Sequence, residues 1–170
     1  CIRDSIKRNS NKICEEEGVT SDDKSIELLV ELAKGSVRDS LTLSDQAISH
    51  CDGNLKEELI SQLHGVLDLS STTKLFDAIF KNDVSSVVEE LKRYQSLNVN
   101  YEILFDRSLA FLHKQIVDLA LREDHSTQDL HLYYQFFSNG LVDAKHTGKT
   151  RDCFDTVSYT HLRAHETSLH

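Results

Sequence analysis

The chain contains no proline in 170 residues, and this absence constrains its fold more than any other feature of the sequence. At a typical usage near 5%, roughly eight prolines would be expected in a chain of this length. Proline disrupts helix interiors because it lacks an amide hydrogen and its ring clashes with the preceding turn. Its absence therefore predicts a fold built from uninterrupted helices.

Apolar residues recur with the 3.6-residue period of a helix along most of the chain, and no segment shows convincing strand alternation. Four helices are predicted before Gly65, and the stretch 65–71 is the best candidate for a linker. We therefore predict an all-α protein with one helical domain over 1–65 and a helical bundle over 66–157.

The first helix is predicted over about 4–17, the second from Ser21 or Asp22 to Gly35, the third from N-cap Ser36 to before Gly53, and the fourth from Asn54 as cap to Gly65. Beyond the linker, one helix carries Leu75, Phe76, Ile79 and Phe80, and another carries Val84, Val87, Val88, Leu91 and Tyr94, with Asp83 as its cap. A long helix is predicted over about 100–123, and a capping box of Ser126 and Asp129 precedes a last one that carries Leu130, Tyr134, Phe137, Leu141 and Ala144.

Net charge, cysteine spacing and hydropathy exclude several classes of protein. The formal net charge is -9, which argues against a free-standing nucleic-acid binder, because phosphate affinity depends on positive charge. No apolar run is long enough to span a membrane. The four cysteines are scattered, with no pair at zinc-binding spacing. We expect a soluble, cytoplasmic protein with reduced thiols, no metal site and no membrane partner.

The two ends of the chain indicate a fragment of a longer protein. The sequence begins at Cys1, contains no methionine and shows no signal-peptide pattern. Residues 158–170 lose the apolar period and read like translated adaptor sequence, so we treat them as a non-native tail. His161 and His165 stand at helical spacing within that tail, but no third ligand is near them in sequence.

No stretch carries the pattern of a catalytic site. "HTGKT" (146–150) resembles the end of a phosphate-binding loop, but position 143 is Asp where that loop needs Gly. We therefore expect an exposed turn there. His50, His64, His113 and His131 lack partners at catalytic or ligand spacing, and we expect them on surfaces or at helix ends.

The third predicted helix raises the one sharp question about function. Ser36 is its expected N-cap, and Val37, Leu41 and Ile48 are its expected buried face. Arg38 would then lie on the opposite, polar face, in a first turn whose dipole disfavours a cation by about 0.3–1 kcal/mol. One hypothesis is a surface ion pair with Asp45 or Asp39, which would contribute little. The other is that Arg38 and the helix N-terminus converge on an anion such as phosphate.

"GSVRDSLTLSDQAI" (35–48) resembles the second-sensor segment of AAA+ clamp-loader ATPases, most closely that of the gamma/tau subunit family of bacterial DNA polymerase III. "ICEEEGV" (13–19), "HGVLD" (64–68) and "LHLYYQFFSNG" (130–140) are similar to the same family, in the same order. The resemblance covers about residues 3–156.

This resemblance implies a small AAA+ lid of three or four helices over 1–65, followed by a collar domain over 66–157 through which loader subunits associate. Arg38 would be the sensor arginine that reaches the terminal phosphate of ATP, and Val37 would pack near the nucleotide. The implied partners are gamma/tau copies, the delta and delta prime subunits and, through the full complex, the sliding clamp and primer-template DNA.

The chain departs from the family pattern in two respects. No P-loop, acidic Mg²⁺ motif or trans-acting arginine motif is present, so ATP and Mg²⁺ would be held mainly by an upstream domain. We therefore expect no catalytic residue and no ATPase activity from this chain alone. The last collar helix also breaks off after "RDCFDT" (151–156).

Two alternatives remain open at the level of the sequence. The first is the lid and oligomerisation region of another AAA+ protein, such as a replication-associated recombination factor or a Holliday-junction motor. The second is a non-enzymatic helical interaction scaffold in which Arg38 is an ordinary surface residue.

Overall fold

The computed structural model describes residues 2–122 and 128–164, and within them the chain forms nine helices and two short strands. The predicted all-α class is confirmed. The chain divides after Val66 into two compact units, which we call the N-terminal unit and the C-terminal unit. No helix in the described ranges is both long and apolar enough to cross a membrane.

The N-terminal unit contains four helices and a pair of two-residue strands. Asp22 caps the second helix, because its carboxylate accepts from the amide of Ser25 at 2.7 Å. The elements are α1 (Ile2–Glu16), β1 (Thr20–Ser21), α2 (Asp23–Leu32), α3 (Val37–His50), β2 (Asn54–Leu55) and α4 (Glu57–His64).

The two strands are a detail that the helical pattern did not predict, and β2 occupies the predicted start of the fourth helix, at Asn54–Leu55. Asn54 pairs with Thr20 in a parallel register, and the Thr20 amide donates to the Gly53 carbonyl at 3.0 Å. A two-residue strand is too short to show any alternation in sequence. The fourth helix therefore begins later than predicted, at Glu57.

The buried face of α3 also differs from the prediction. Its buried residues are Ser40, Ser44 and Ala47, whereas Val37 is 39% exposed and Leu41 43% exposed. The small side chains allow α1 to approach closely, and the Ser44 hydroxyl donates to the Ser10 hydroxyl at 3.3 Å. The expected burial of Val37 and Leu41 is therefore wrong, and Ile48 is only half-buried. The remaining core of this unit is aliphatic and includes Ile6, Ile26, Leu29, Leu55 and Ile60.

The C-terminal unit is a bundle of five helices around a cluster of aromatic rings. Asp83 and Asn100 cap α6 and α7, as their side chains accept from amides of the following turn. α8 packs against α7 and α9. The helices are α5 (Leu69–Phe80), α6 (Val84–Ser96), α7 (Tyr101–Leu121), α8 (Gln128–Thr147) and α9 (Thr150–Ala164).

Two predicted boundaries in this unit change. The candidate linker 65–71 is shortened, because Asp68 caps α5 and its carboxylate accepts from the Ser71 amide at 3.1 Å. Helix α9 runs past residue 157 to Ala164, and Ser158 is buried, with its hydroxyl donating to the Phe154 carbonyl at 2.9 Å. The non-native origin of residues 158–170 stays a prediction. Ser126 of the predicted capping box and His165 lie outside the described residues.

Candidate functional site

The candidate site lies at the start of α3, where the chain turns sharply out of α2. Lys34 and Gly35 have positive φ angles of 48° and 84°, and Ser36 returns to an extended conformation with φ -91° and ψ 116°. The Ser36 hydroxyl accepts from the Asp39 amide at 3.2 Å. The predicted cap is therefore confirmed, and it fixes where the first turn of α3 begins.

Arg38 lies in this first turn with its side chain exposed. Within residues 2–122 and 128–164 its guanidinium forms no ion pair and no hydrogen bond, so the predicted pair with Asp45 or Asp39 is not formed. The cation thus stands at the positive end of a helix dipole, and no carboxylate of the described residues forms an ion pair with it. This arrangement leaves all five guanidinium donors available to a ligand.

Two exposed apolar side chains belong to the same end of α3 as Arg38. Val37 precedes it, and Leu41 lies one helical turn further along the same side of α3. The prediction that Arg38 lies opposite these residues is therefore wrong. The true inward face was visible in the sequence as small residues at 40, 44 and 47, but apolar residues at 37, 41 and 48 gave a stronger signal.

A cation beside exposed aliphatic side chains at one end of a helix can bind a ligand that combines an anionic group with an apolar surface. The described residues contain no group of three or more side chains that could hold a metal ion. The "HTGKT" stretch includes the end of α8 and a glycine with φ 70°, so the expected exposed turn is confirmed.

The four histidines named in the sequence lie on the surface or at a helix end. His50, His113 and His131 are exposed, as expected. His64 is half-buried in the last turn of α4, and burial lowers the pKa of its imidazole.

The C-terminal unit carries a second feature of functional interest, an incompletely covered apolar surface on α7 and α8. In the sequence, Leu132, Tyr133 and Phe136 give α8 more apolar surface than one partner helix would cover. Tyr133 is buried and Phe136 half-buried, whereas Leu132 remains 43% exposed. The exposed apolar side chains of these two helices are Val117, Leu121, Leu132 and Val142.

The sequence matches one protein-family model and is similar to several known proteins. Residues 5–53, which include α3 and Arg38, match the model of the ATPase lid domain of the DNA polymerase III clamp loader subunit. The chain is 27% identical to DNA polymerase III subunit tau of Escherichia coli over 94% of its length. It is 25% identical to subunit gamma of Buchnera aphidicola subsp. Baizongia pistaciae over 74% of its length.

These similarities extend well beyond the lid but cover a minority of each relative. The chain spans 27% of the Escherichia coli protein and 40% of the Buchnera protein. The lid match and the long alignments agree with each other and with the helical architecture. Residues 5–53 therefore match the ATPase lid domain of the DNA polymerase III clamp loader subunit, and the chain as a whole is similar to gamma and tau subunits of DNA polymerase III.

Proposed function

We propose that this chain supplies the lid and the subunit-association region of an ATP-dependent clamp-loader subunit that acts in DNA replication. In this proposal Arg38 contacts the terminal phosphate of ATP, and Val37 packs near the nucleotide. The P-loop domain of the same gene product holds most of the ATP and its Mg²⁺, since this sequence contains no P-loop motif. The chain alone is then not expected to hydrolyse ATP.

The observation that carries the proposal is the guanidinium of Arg38 at the N-terminus of α3, which has no ion pair within residues 2–122 and 128–164. Asp39 and Asp45 are both close in sequence on the same helix, yet neither pairs with it. Arginine and helix N-termini both favour anions, and a phosphate accepts a bidentate guanidinium contact. The dipole penalty on Arg38 would then be offset when a triphosphate lies against both.

The lid assignment also explains why Val37 and Leu41 remain exposed. Two aliphatic side chains beside a cation suit the edge of a nucleotide site, where the apolar parts of the ligand and of the adjoining domain would cover them. Because α1 packs on the serine face of α3, this exposed side is free to meet a partner.

In the same proposal the C-terminal unit associates with other loader subunits, namely further gamma/tau copies and the delta and delta prime subunits. The exposed apolar side chains on α7 and α8 support this role, because exposed apolar patches mark protein interfaces. The sliding clamp and primer-template DNA would be contacted through the full complex.

The test uses the complete gene product assembled with its loader subunits. Arg38→Ala should weaken ATP binding about tenfold or more, the loss expected when a charge-assisted hydrogen bond is removed. ATP-driven clamp loading should fall with it. Arg38→Lys keeps the positive charge but cannot make a bidentate contact. Its ATP affinity should therefore lie between those of the wild type and Arg38→Ala.

Arg8→Ala is the matched control, because Arg8 is also an exposed cation on a helix of the N-terminal unit. It should leave ATP affinity and clamp loading unchanged. If Arg38→Ala behaves like Arg8→Ala, the nucleotide role of Arg38 is wrong.

A further inference from the structure

The Tyr101 hydroxyl and Oδ1 of Asp155 are both buried, and neither has a hydrogen-bond partner in the described part of the chain. Tyr101 begins α7 and Asp155 lies on α9, and these two helices pack together. The Tyr101 ring also contacts the ring of Phe154, the residue before Asp155, with centroids 5.8 Å apart. An unpaired buried polar atom costs the free energy of its desolvation, so both atoms would gain from a shared partner.

The carboxylate of Asp155 is paired on one side only. Its Oδ2 accepts from the side-chain amide of Gln95, on α6, at 3.2 Å, and Nε of Arg151 lies 3.7 Å from the same oxygen. A carboxylate has about four lone-pair sites. The Asp155 side chain is only 18% exposed, so Oδ1 is left without solvent or protein to bind its lone pairs.

Electrostatic effects place the two groups close together. Burial raises the pKa of Tyr101 to about 12, and the negative charge of Asp155 adds to the rise. Burial also raises the pKa of Asp155, whereas Gln95 and Arg151 lower it. No hydrogen bond joins Tyr101 to Asp155. The two oxygens are therefore near each other without being bonded, which is an arrangement that a buried water molecule bridges.

We propose that one water molecule is bound between Tyr101 and Asp155 and joins α7 to α9. It accepts the hydrogen of the Tyr101 hydroxyl and donates one of its own to Oδ1 of Asp155, so both buried atoms are satisfied. A metal cation suits the site less well, because the Arg151 guanidinium already lies 3.7 Å from the same carboxylate. This inference is independent of the nucleotide role of Arg38.

The bound water helps to keep Asp155 ionised inside the bundle, because it replaces part of the solvation that burial removes. Tyr101→Phe deletes one of its two partners, and a buried water needs at least two. The water should therefore leave this variant. Its release recovers the entropy of immobilisation, so the loss of the bridge need not destabilise the C-terminal unit.

The test is ¹⁷O magnetic relaxation dispersion, which counts long-lived internal water molecules, measured on the whole 170-residue chain. Tyr101→Phe should hold one long-lived water fewer than the wild type. Tyr159→Phe is the matched control, because Tyr159 lies one turn beyond Asp155 on α9 but is 38% exposed. It should leave the number of long-lived waters unchanged.

A ¹³C NMR titration of the Asp155 carboxyl group gives a second readout, which a purely structural role of the ring would not move. The pKa of Asp155 should rise by about one pH unit in Tyr101→Phe, since the ionised form loses a hydrogen bond. It should stay the same in Tyr159→Phe. An unchanged pKa in Tyr101→Phe would show that the water does not contact Asp155.

Equal numbers of long-lived waters in the wild type and Tyr101→Phe would overturn the proposal. A rise in the pKa of Asp155 would then indicate a direct hydrogen bond from the Tyr101 hydroxyl. A wild-type Asp155 pKa that differs between potassium chloride and tetramethylammonium chloride would indicate a bound metal cation and would also overturn it.

Discussion

The two units bury apolar surface in different ways. All seven phenylalanines and five tyrosines lie in the C-terminal unit, and the N-terminal unit contains no aromatic residue. In the C-terminal unit the rings of Phe76, Phe105, Phe137 and Phe154 contact one another, with centroids 4.9 to 6.2 Å apart. In the N-terminal unit, α1 and α3 meet through serine side chains instead.

This difference in core composition leads us to expect a difference in stability between the two units. Aromatic side chains bury 150–250 Å² each, so the C-terminal unit gains much of its stability from a few residues. Close packing of α1 on small residues leaves Val37 and Leu41 outside, beside Arg38. We therefore expect the C-terminal unit to be the more stable, and the N-terminal unit to depend more on a partner.

The largest expected effect is that of Phe137→Ala, which removes the ring that contacts three other buried rings. It should lower the free energy of unfolding of the C-terminal unit by about 3–5 kcal/mol. Urea denaturation followed by amide NMR signals would report each unit separately. Phe80→Ala, at a side chain 41% exposed, should cost clearly less. Equal loss in the N-terminal unit would show that the two units unfold as one.

A tight contact between α1 and α3 predicts that the N-terminal unit is sensitive to added volume. Ser44→Leu should destabilise it by about 1–3 kcal/mol, because the larger side chain would force the helices apart. Thr42→Leu places the same side chain at an exposed position of α3 and should have little effect. Comparable unfolding temperatures for the two variants by calorimetry would contradict close packing on the serine face.

Two buried tyrosines sharpen the comparison within the aromatic core. Tyr94→Phe removes a buried hydrogen bond to the Ser71 carbonyl and should cost about 0.5–1.5 kcal/mol. In the described ranges the Tyr101 hydroxyl is buried without a partner, so Tyr101→Phe should be neutral or stabilising by up to about 1 kcal/mol. Burial, with the nearby Asp155 carboxylate, raises the pKa of Tyr101 to about 12, so calorimetry at pH 7 compares neutral side chains. Equal changes in stability for Tyr94→Phe and Tyr101→Phe would contradict this difference between the two hydroxyl groups.

The smallest expected effect concerns acid sensitivity of the caps. Hydrogen bonds from Ser70 and Ser71 lower the pKa of Asp68. A carboxylate with a lowered folded pKa stabilises the fold above its unfolded pKa of about 3.9, and the contribution is lost as pH falls through the folded value. The cap of α3 is a serine and has no such dependence.

Asp68→Asn should therefore reduce the loss of stability between pH 7 and pH 3 by less than about 1 kcal/mol, as Asp68 is exposed. Asparagine still caps a helix, so stability at pH 7 should barely change. Asp77→Asn, at an exposed position of the same helix, serves as the control. If the wild type, Asp68→Asn and Asp77→Asn lose the same stability between pH 7 and pH 3, ionisation of the Asp68 cap does not contribute to stability.

The sequence predicts helix ends better than helix faces. Ser36 was identifiable as the cap of α3 because a cap depends on one side chain and the next turn. The inward face of α3 depends on how closely α1 approaches, which no local pattern records. The pairing of Thr20 with Asn54 joins residues 34 positions apart in a two-residue strand and leaves no local pattern either.

The sequence was enough to select Arg38 as the candidate residue, but it did not predict which side chains would be exposed beside it. The motif around Arg38 pointed to that residue, and the alternative of an ion pair with Asp39 or Asp45 followed from spacing alone. Spacing places charges on one side of a helix without fixing the rotamers that would join them. The exposed Leu41 beside Arg38 could be recognised only once the serine face of α3 was known.

The uneven distribution of rings also gives this protein a built-in optical label. Since there is no tryptophan and every tyrosine lies beyond residue 67, tyrosine fluorescence and near-ultraviolet circular dichroism report on the C-terminal unit alone. Far-ultraviolet signals arise from the helices of both units. The ratio of the two spectra would follow the melting of the lid without any dye or added cysteine.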